Sequence, residues 1–335
     1  MHGRAGAATC GDHGLIDVLF VLLPASLILD WAGPAEALRI ANRHLVAQGL
    51  PAHFNLRFVG PRAEVVSSVG VQLTGVEPLP AHASLRNSWV VVVGQPGDAV
   101  DVQTPEAQHL LHWLRDLRLH AGHLELLTVC AGSVIAAHAG LLAERRATTH
   151  HQHLDELART EPRCDVIANR VFVEDGAVFS SAGVTTGIDL FLHRISAVCG
   201  APLAAQVAQS MVVALRRGPN DPEFSPFLAY RNHLHPAVHR VQDAVSLVPQ
   251  DEWNVPRMAE VAHTSPRHLT RLFIEHADIA PLQYLRRIRL ATAQAALQSG
   301  SNVSQAAEIA GFSSDTQLRR TWHQFDLEGT PGGLR

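Results

Sequence analysis

Cys130 stands directly after the run Leu124-Glu125-Leu126-Leu127-Thr128-Val129 and directly before Ala131-Gly132-Ser133. The run reads as a strand and the segment on to Ala139 as a helix, so the cysteine falls at a sharp strand-to-helix turn. A thiol there sits beside the N–H groups of a helix start, which favour the thiolate and can form an oxyanion site. This is the nucleophile-elbow arrangement in its cysteine form. Cysteine is also an ordinary small core residue, and spacing alone leaves both readings open.

A second set of chemistry-bearing residues lies in the last third of the chain, where 237–326 reads as helix in short pieces. Val261-Ala262 corresponds to Ile309-Ala310, 48 residues on, and Leu269, Arg271 and Phe273 correspond to Leu318, Arg320 and Trp322, 49 residues on. The extra residue falls in the turn between helices, where insertions are tolerated. Each unit reads as a short helix, a tight turn and a second helix. Asn254 caps the first helix of the first unit, and Thr264-Ser265-Pro266 makes the turn and starts the next helix. In the second unit Gly311 ends one helix and Ser313 or Ser314 caps the next. Leu269 with Phe273, and Leu318 with Trp322, face inward at four-residue spacing. That leaves Arg267, Thr270 and Arg271, and then Asp315, Thr316, Arg319 and Arg320, to project outward. Such helix starts fit a major groove, where arginine binds guanine edges or phosphates. An aspartate there would repel phosphate, so Asp315 either accepts from a cytosine amino group or serves as a cap. One such hairpin is more often part of an ordinary bundle with solvated arginines. Two in register, joined by a long helix over 281–299 that Gly300 ends, favour DNA binding.

The elements that must position Cys130 alternate between strand and helix. Strands are predicted at 15–23, 54–59, 88–94 and 124–129, and helices near 34–47, 104–119, 185–198 and 202–215. Trp89-Val90-Val91-Val92-Val93 is apolar throughout, as in a parallel strand covered on both faces. Alternation of this kind implies a parallel sheet between helices. Prolines 219, 222, 226 and 236 mark a boundary. The predicted organisation is a loose tail at 1–13, an α/β domain at 14–217, a linker at 218–236 and an all-α domain at 237–335.

With 335 residues, 47% of them apolar and 17% charged, the chain can bury the cores of two domains and is not a disordered polymer. Its net charge of -4 supplies no global pull toward nucleic acid. From 236 to the end, ten arginines meet ten acids, so DNA affinity depends on where the arginines sit. The four cysteines show no zinc-like or CxxC spacing, which fits a reducing cytoplasm. The apolar run Val18 to Leu29 follows Arg4 as in an export signal. Asp17 and Asp30 bracket it, however, and Pro24 interrupts it, so a buried strand is the better reading. It is also too short to span a membrane. His150, His151 and His153, and His109 with His112, have ligand-like spacing. No carboxylate or cysteine set accompanies them, so no metal is expected.

The stretch from about 237 resembles the AraC/XylS family DNA-binding domain, on the strings SPRHLTRLF (265–273), PLQYLRRIRLATAQAAL (281–297) and AAEIAGFSSDTQLRRTW (306–322). The resemblance implies that the DNA-facing residues are Arg267, Thr270, Arg271, Asp315, Thr316, Arg319 and Arg320. Residues 15 to 217 resemble the ThiJ/PfpI superfamily, in the form fused to AraC-type domains in GlxA-like regulators. The strings here are LPASLILDWAGPAEALRIAN (23–42), TVCAGSVIAAHAGLLAERRATTHH (128–151) and SSAGVTTGIDL (180–190). By that resemblance Cys130, Ala131 and Gly132 form the elbow, and Asp30 is its acidic partner on the loop after the first strand. Gly94 to Gly97 border the pocket, and His150 follows the paired threonines. The fold implied is a flavodoxin-like parallel sheet followed by two helix-turn-helix units. The sequence departs from hydrolase-like members at Ala131, where they carry histidine, and at His151, where tryptophan is expected. The resemblance therefore implies a DNA-binding regulator with a small-molecule sensor domain, since a nucleophile without a positioned base loses much of its activation; the alternatives are a cysteine-dependent amidase- or hydratase-like enzyme and a ligand-independent regulator with a vestigial pocket. It needs no cofactor. Its partners would be double-stranded DNA, a small effector, a second copy through the N-terminal domain, and RNA polymerase, with no membrane.

Overall fold

Alternate residues of the first apolar run end on opposite sides of one sheet. Val18, Phe20 and Leu22 join one buried cluster and Leu19, Val21 and Leu23 another, so the strand is covered on both faces. The structure, a computed structural model, describes residues 14–213, 217–219, 229–231, 233–298, 300–325, 327 and 330–333. The tail predicted at 1–13 and much of the predicted linker lie outside the described residues. Those residues fall into two compact units on either side of position 223.

In the first unit the strands and helices follow in the order β1 (Ile16–Val21), α1 (Ile28–Ala47), β2 (Phe54–Gly60), β3 (Glu64–Val66), β4 (Gln72–Thr74), β5 (Glu77–Pro78), β6 (Ser88–Val92), α2 (Pro105–Arg115), β7 (Leu124–Val129), α3 (Gly132–His138), β8 (Arg146–Ala147), α4 (Leu154–Thr160), β9 (Asp165–Val166), β10 (Phe172–Asp175), β11 (Val178–Ser181), α5 (Thr186–Cys199) and α6 (Ala201–Ser210). The main sheet has seven strands in the order β10-β11-β7-β6-β1-β2-β5. All its pairings are parallel except β10 with β11. Residues of α1, α5 and α6 pack on one face through Leu38, Phe191 and Val207, and those of α2 and α3 on the other through Leu110, Leu114 and Ile135. This is the parallel sheet between helices that strand-helix alternation implied, in the flavodoxin-like form that the family resemblance implied.

Two local expectations change. The first helix begins at Ile28 rather than near 34, with Pro34 inside it. Pro34 and the continuous apolar run before it hid the helical period, and Asp30 consequently lies on the first turn of α1, not on a loop. The hairpin β10–β11 was not predicted, because its strands are only four residues long and carry Glu174, Asp175, Ser180 and Ser181. It matters to the elbow, since β11 runs parallel to β7 and pairs Ser181 with Val129.

In the second unit α7 (Pro236–Leu247), α8 (Val255–Val261), α9 (Pro266–Ala277), α10 (Pro281–Gln298), α11 (Val303–Ile309) and α12 (Asp315–Gln324) form two small cores. Tyr284, Leu285 and Ile288 of α10 belong to the core of α7 to α9. Leu290, Ala293 and Leu297 of the same helix belong to the core of α11 and α12. One helix thus serves both halves, each end lending its apolar face to a different hairpin. Tyr230, before α7, stacks edge-on against Tyr284 with ring centres 6.0 Å apart, and its carbonyl accepts from Gln242 at 2.6 Å.

Candidate functional site

Strand β7 ends at Val129, and the backbone then turns through Cys130 at φ 58°. That left-handed region is uncommon for a residue with a side chain, and strain of this kind is a reason to look for function. The turn is held from several sides. The Cys130 N–H donates to the Ser181 carbonyl at 3.0 Å, and the Cys130 carbonyl accepts from the Thr149 hydroxyl at 2.8 Å. Ser133 Oγ donates to the Thr148 carbonyl at 2.8 Å and lies 2.7 Å from Thr128 Oγ1, which ties the start of α3 to its strand.

Three glycines leave room for this packing. A Cβ on Gly132 would stand 2.1 Å from the Val92 carbonyl oxygen, so only glycine lets α3 start this close to β6. Gly183 has φ +96°, and a Cβ there would stand 2.3 Å from Cys130 Cβ and 2.8 Å from Sγ. A Cβ on Gly94 would lie 3.0 Å from Asp30 Oδ2, from the Ala131 nitrogen and from Cys130 Cβ. Thus Asp30, Gly94, Cys130, Ala131 and Gly132 come together at the C-terminal edge of the sheet. Gly97 does not join them. It is exposed, with φ +130°, and the nearest atom a Cβ would meet is the Ala99 carbonyl at 3.4 Å.

Asp30 is fully buried. Its Oδ1 accepts from the Val184 N–H at 2.9 Å, its Oδ2 accepts from the Gly94 N–H at 3.1 Å, and its carboxyl also hydrogen-bonds Cys130. Burial raises its pKa to about 6, against the opposing pull of those bonds. A carboxyl that exchanges a proton near neutrality therefore touches the thiol, while the neighbouring Ala131 brings no base. Gly183 and Val184 lie in the Ser180–Leu190 string that carries the family resemblance, but are not among the expected site residues. A glycine closing a serine-rich strand end was the available signal.

His150 is partly buried and opens a short 3-10 turn at His151–His153. Its ring centre lies 4.1 Å from that of His151 and 6.2 Å from that of His153. Burial, helped by these two neighbours, lowers its pKa to about 4, so the imidazole is neutral at pH 7. It follows Thr149, which holds the Cys130 carbonyl. Among the described residues no group of three or more His, Cys, Asp or Glu is arranged to hold a metal ion.

The internal repeat extends to its caps. Asn254 and Asn302, 48 apart, accept from the third helical N–H of α8 and α11, each at 2.9 Å. Ser265 and Ser314, 49 apart, do the same for α9 and α12 at 3.3 and 3.2 Å. Both turns pass through a left-handed residue, His263 at φ 53° and Gly311 at φ 79°. Helix α9 buries Leu269, Leu272, Phe273 and Ala277, and α12 buries Leu318, Thr321 and Trp322. Arg267, Arg271, Thr316, Arg319 and Arg320 are exposed. Thr270 and Asp315 are partly buried: Thr270 donates back to the Pro266 carbonyl at 3.0 Å, and Asp315 accepts from Ser304 Oγ at 2.9 Å. Asp315 thereby links the two helices of its own unit. Arg289, midway along α10, donates to the carbonyls of Pro249 and Asp251, both at 2.8 Å. Gly311 sits on the same segment, since a Cβ there would come within 2.5 Å of Gln250 Cα. The loop after α7 thus locks the second hairpin to the first.

Comparison with known proteins agrees with both halves. The DJ-1/PfpI family pattern matches residues 17–197 and a helix-turn-helix domain pattern matches 258–327. The chain is 27% identical to the HTH-type transcriptional regulator GlxA of Rhizobium meliloti, over 98% of each chain. It is 30% identical to the HTH-type transcriptional regulator CdhR of Pseudomonas aeruginosa, over 91% of this chain and 88% of the relative. It is also 30% identical to the isonitrile hydratase of Pseudomonas putida, over 57% of this chain and 76% of the enzyme. The chain belongs to the DJ-1/PfpI family, in the branch that joins this domain to an AraC-type helix-turn-helix domain. It is a DNA-binding transcriptional regulator. Among the described residues no helix is long and apolar enough to cross a membrane.

Proposed function

We propose that the Asp30–Cys130 site binds a small effector, and that this binding sets how the two helix-turn-helix units engage their operator. The supporting observation is the anchoring of Asp30. Its two oxygens tie Gly94, after β6, and Val184, after β11, to the first turn of α1 around a strained thiol. A ligand touching Cys130 or Asp30 therefore meets three loops of the domain at once. In this reading Arg267, Arg271, Arg319 and Arg320 contact bases or phosphates, Thr270 and Thr316 support them, and Asp315 positions the start of α12. The effector domain pairs with a second copy, a common arrangement for regulators of two half-sites, and bound protein meets RNA polymerase.

A second reading is favoured by the thiol–carboxyl contact itself, which a cysteine-dependent hydratase or amidase would use. Ala131 weighs against it, because it brings no histidine base to the nucleophile, and the proton acceptor in contact with the thiol is the Asp30 carboxyl. One experiment separates them. The full chain is screened against metabolites for changes in DNA affinity, with turnover followed in parallel, and hits are repeated in Cys130→Ser. Effector-dependent DNA binding without turnover supports the sensor. Turnover that the substitution abolishes, with DNA affinity unmoved by any ligand, supports the enzyme.

A further inference from the structure

Four histidines of the second unit share one small volume. His233 and His235 lie on the segment that leads into α7, His239 on the first turn of α7, and His276 in the last turn of α9. The ring centre of His233 is 4.3 Å from that of His239 and 6.4 Å from that of His276. His235 stacks on His276 with ring centres 4.6 Å apart. All four are partly buried, and none is among the residues assigned to DNA.

Their hydrogen bonds require uncharged rings. A neutral imidazole has one donor and one acceptor nitrogen, whereas an imidazolium has two donors. His239 Nε2 donates to the His233 carbonyl at 2.6 Å, and its Nδ1 accepts from Arg231 Nη2 at 3.4 Å. His233 Nδ1 accepts from the His235 N–H at 3.2 Å. A proton on either Nδ1 would set donor against donor, facing the Arg231 guanidinium at His239 and a backbone N–H at His233. Two carboxylates border the cluster. Asp243 is already engaged by Arg231 at 2.5 Å, and Glu275 Oε1 lies 4.0 Å from His276 Nε2. Burial, aided by His239, His276 and His235, lowers the pKa of His233, against an opposing contact with Gln242.

The neutral rings pin residues 230–235 to α7 and to the end of α9. Tyr230, at the start of that segment, stacks on Tyr284, whose ring centre lies 5.8 Å from that of Phe273 in α9. The pin therefore bears on the core beneath the helix assigned to the groove. A ring held neutral in the docked state and free to charge when released makes acid favour release. The contribution of His233 is complete above its unperturbed value of 6.5 and is lost as pH falls below it. We infer that these four histidines form a proton-operated latch in the first helix-turn-helix unit: neutral rings hold residues 230–235 on α7 and α9, and protonation releases that segment and weakens DNA binding. The effect on DNA rests on the reading of α9 given above, whereas the release itself does not.

The test uses the full chain with EDTA present, so that the response belongs to protons. Hydrogen exchange at the His235 amide, corrected for its intrinsic rate, should show protection on the order of tenfold lower at pH 5 than at pH 7.5. His233→Asn keeps an acceptor for the N–H two residues on, as in an Asx-turn, and His239→Gln keeps an N–H for the carbonyl. Neither side chain takes up a proton, so the paired variant should hold its protection at both pH values. His123→Gln, at an exposed histidine of the first unit, should leave the fall as it is. Affinity for a DNA site enriched from random sequence should fall on the order of tenfold over the same interval, and stay level in the paired variant. Where that variant does not fold, His233→Asn alone carries the comparison. Unchanged protection in the wild-type chain, the same fall in the variant, or selective DNA binding that is level with pH would overturn the latch. No selective binding at pH 7.5 would overturn the groove reading on which its effect on DNA rests.

Discussion

The Asp30 carboxyl meets the Cys130 thiol across the gap between α1 and the turn after β7, although 100 residues separate them in sequence. Each is prepared for the other. The aspartate has both oxygens held by backbone N–H groups, and the cysteine has a left-handed backbone that a close glycine permits.

The raised pKa of Asp30 sets a stability slope. Its carboxyl ionises near pH 6 in the folded chain, against 3.8 for an unperturbed aspartate. Between those values the folded state holds the extra proton, so stability is fully present below about pH 4 and falls as pH rises through about 6. The shift corresponds to about 3 kcal/mol at neutral pH, to order of magnitude. Asp30→Asn should flatten this part of a melting-temperature profile against pH. A slope between pH 4 and 6 unchanged in the variant would show that Asp30 is not its source.

Gly183→Ala should damage the elbow. The new methyl group would overlap Cys130 and the residue would keep a positive φ, which together cost on the order of 2–4 kcal/mol. Thermal unfolding of the full chain should show an earlier transition. An unmoved transition would mean that β11 and the elbow are less tightly coupled than the Gly183–Cys130 approach requires.

Cys130→Ser keeps a small polar group at the turn but removes most nucleophilic character. Operator affinity and most of the effector response should persist, since hydrogen bonding and shape largely survive. Gel-shift titrations with and without effector read both. Loss of the response to peroxide alone would indicate oxidation of the thiol as the signal.

Much of this was legible in the sequence, for identifiable reasons. The elbow showed because a mostly apolar strand, Leu124 to Val129, ends abruptly at Cys130 before Gly132. The two hairpins showed because Leu269 and Leu318, and Phe273 and Trp322, must each fill a small core at helical spacing. Asp30 was found through resemblance but misplaced on a loop, because helix α1 starts inside an apolar run and contains Pro34. Gly183 and Val184 carried little signal beyond a glycine after Ser180-Ser181, since their role depends on β11 pairing with β7. A buried ion pair of Arg194 with Glu125 joins α5 to β7 over 69 positions, and no local pattern marks such a contact.

The repeat makes a reciprocal prediction about its turns. His263 occupies in the first unit the left-handed position that Gly311 fills in the second. His263→Gly should relieve backbone strain and stabilise the domain by up to about 1 kcal/mol. Gly311→Ala should destabilise it by more, because the methyl group would also press on Gln250. Differential scanning calorimetry on the two variants should move in opposite directions, and equal shifts would remove the equivalence.

DNA reading by α9 and α12 is tested most directly by selecting the full chain against random double-stranded DNA, then repeating the selection with Arg267→Ala and Arg320→Ala. The wild-type chain should enrich a bipartite site whose segments lie about one helical turn apart. Each variant should lose roughly 1–3 kcal/mol of affinity for that site and relax its preference within one segment. No enriched sequence, or enrichment identical in both variants, would contradict the assignment of these helices to the groove.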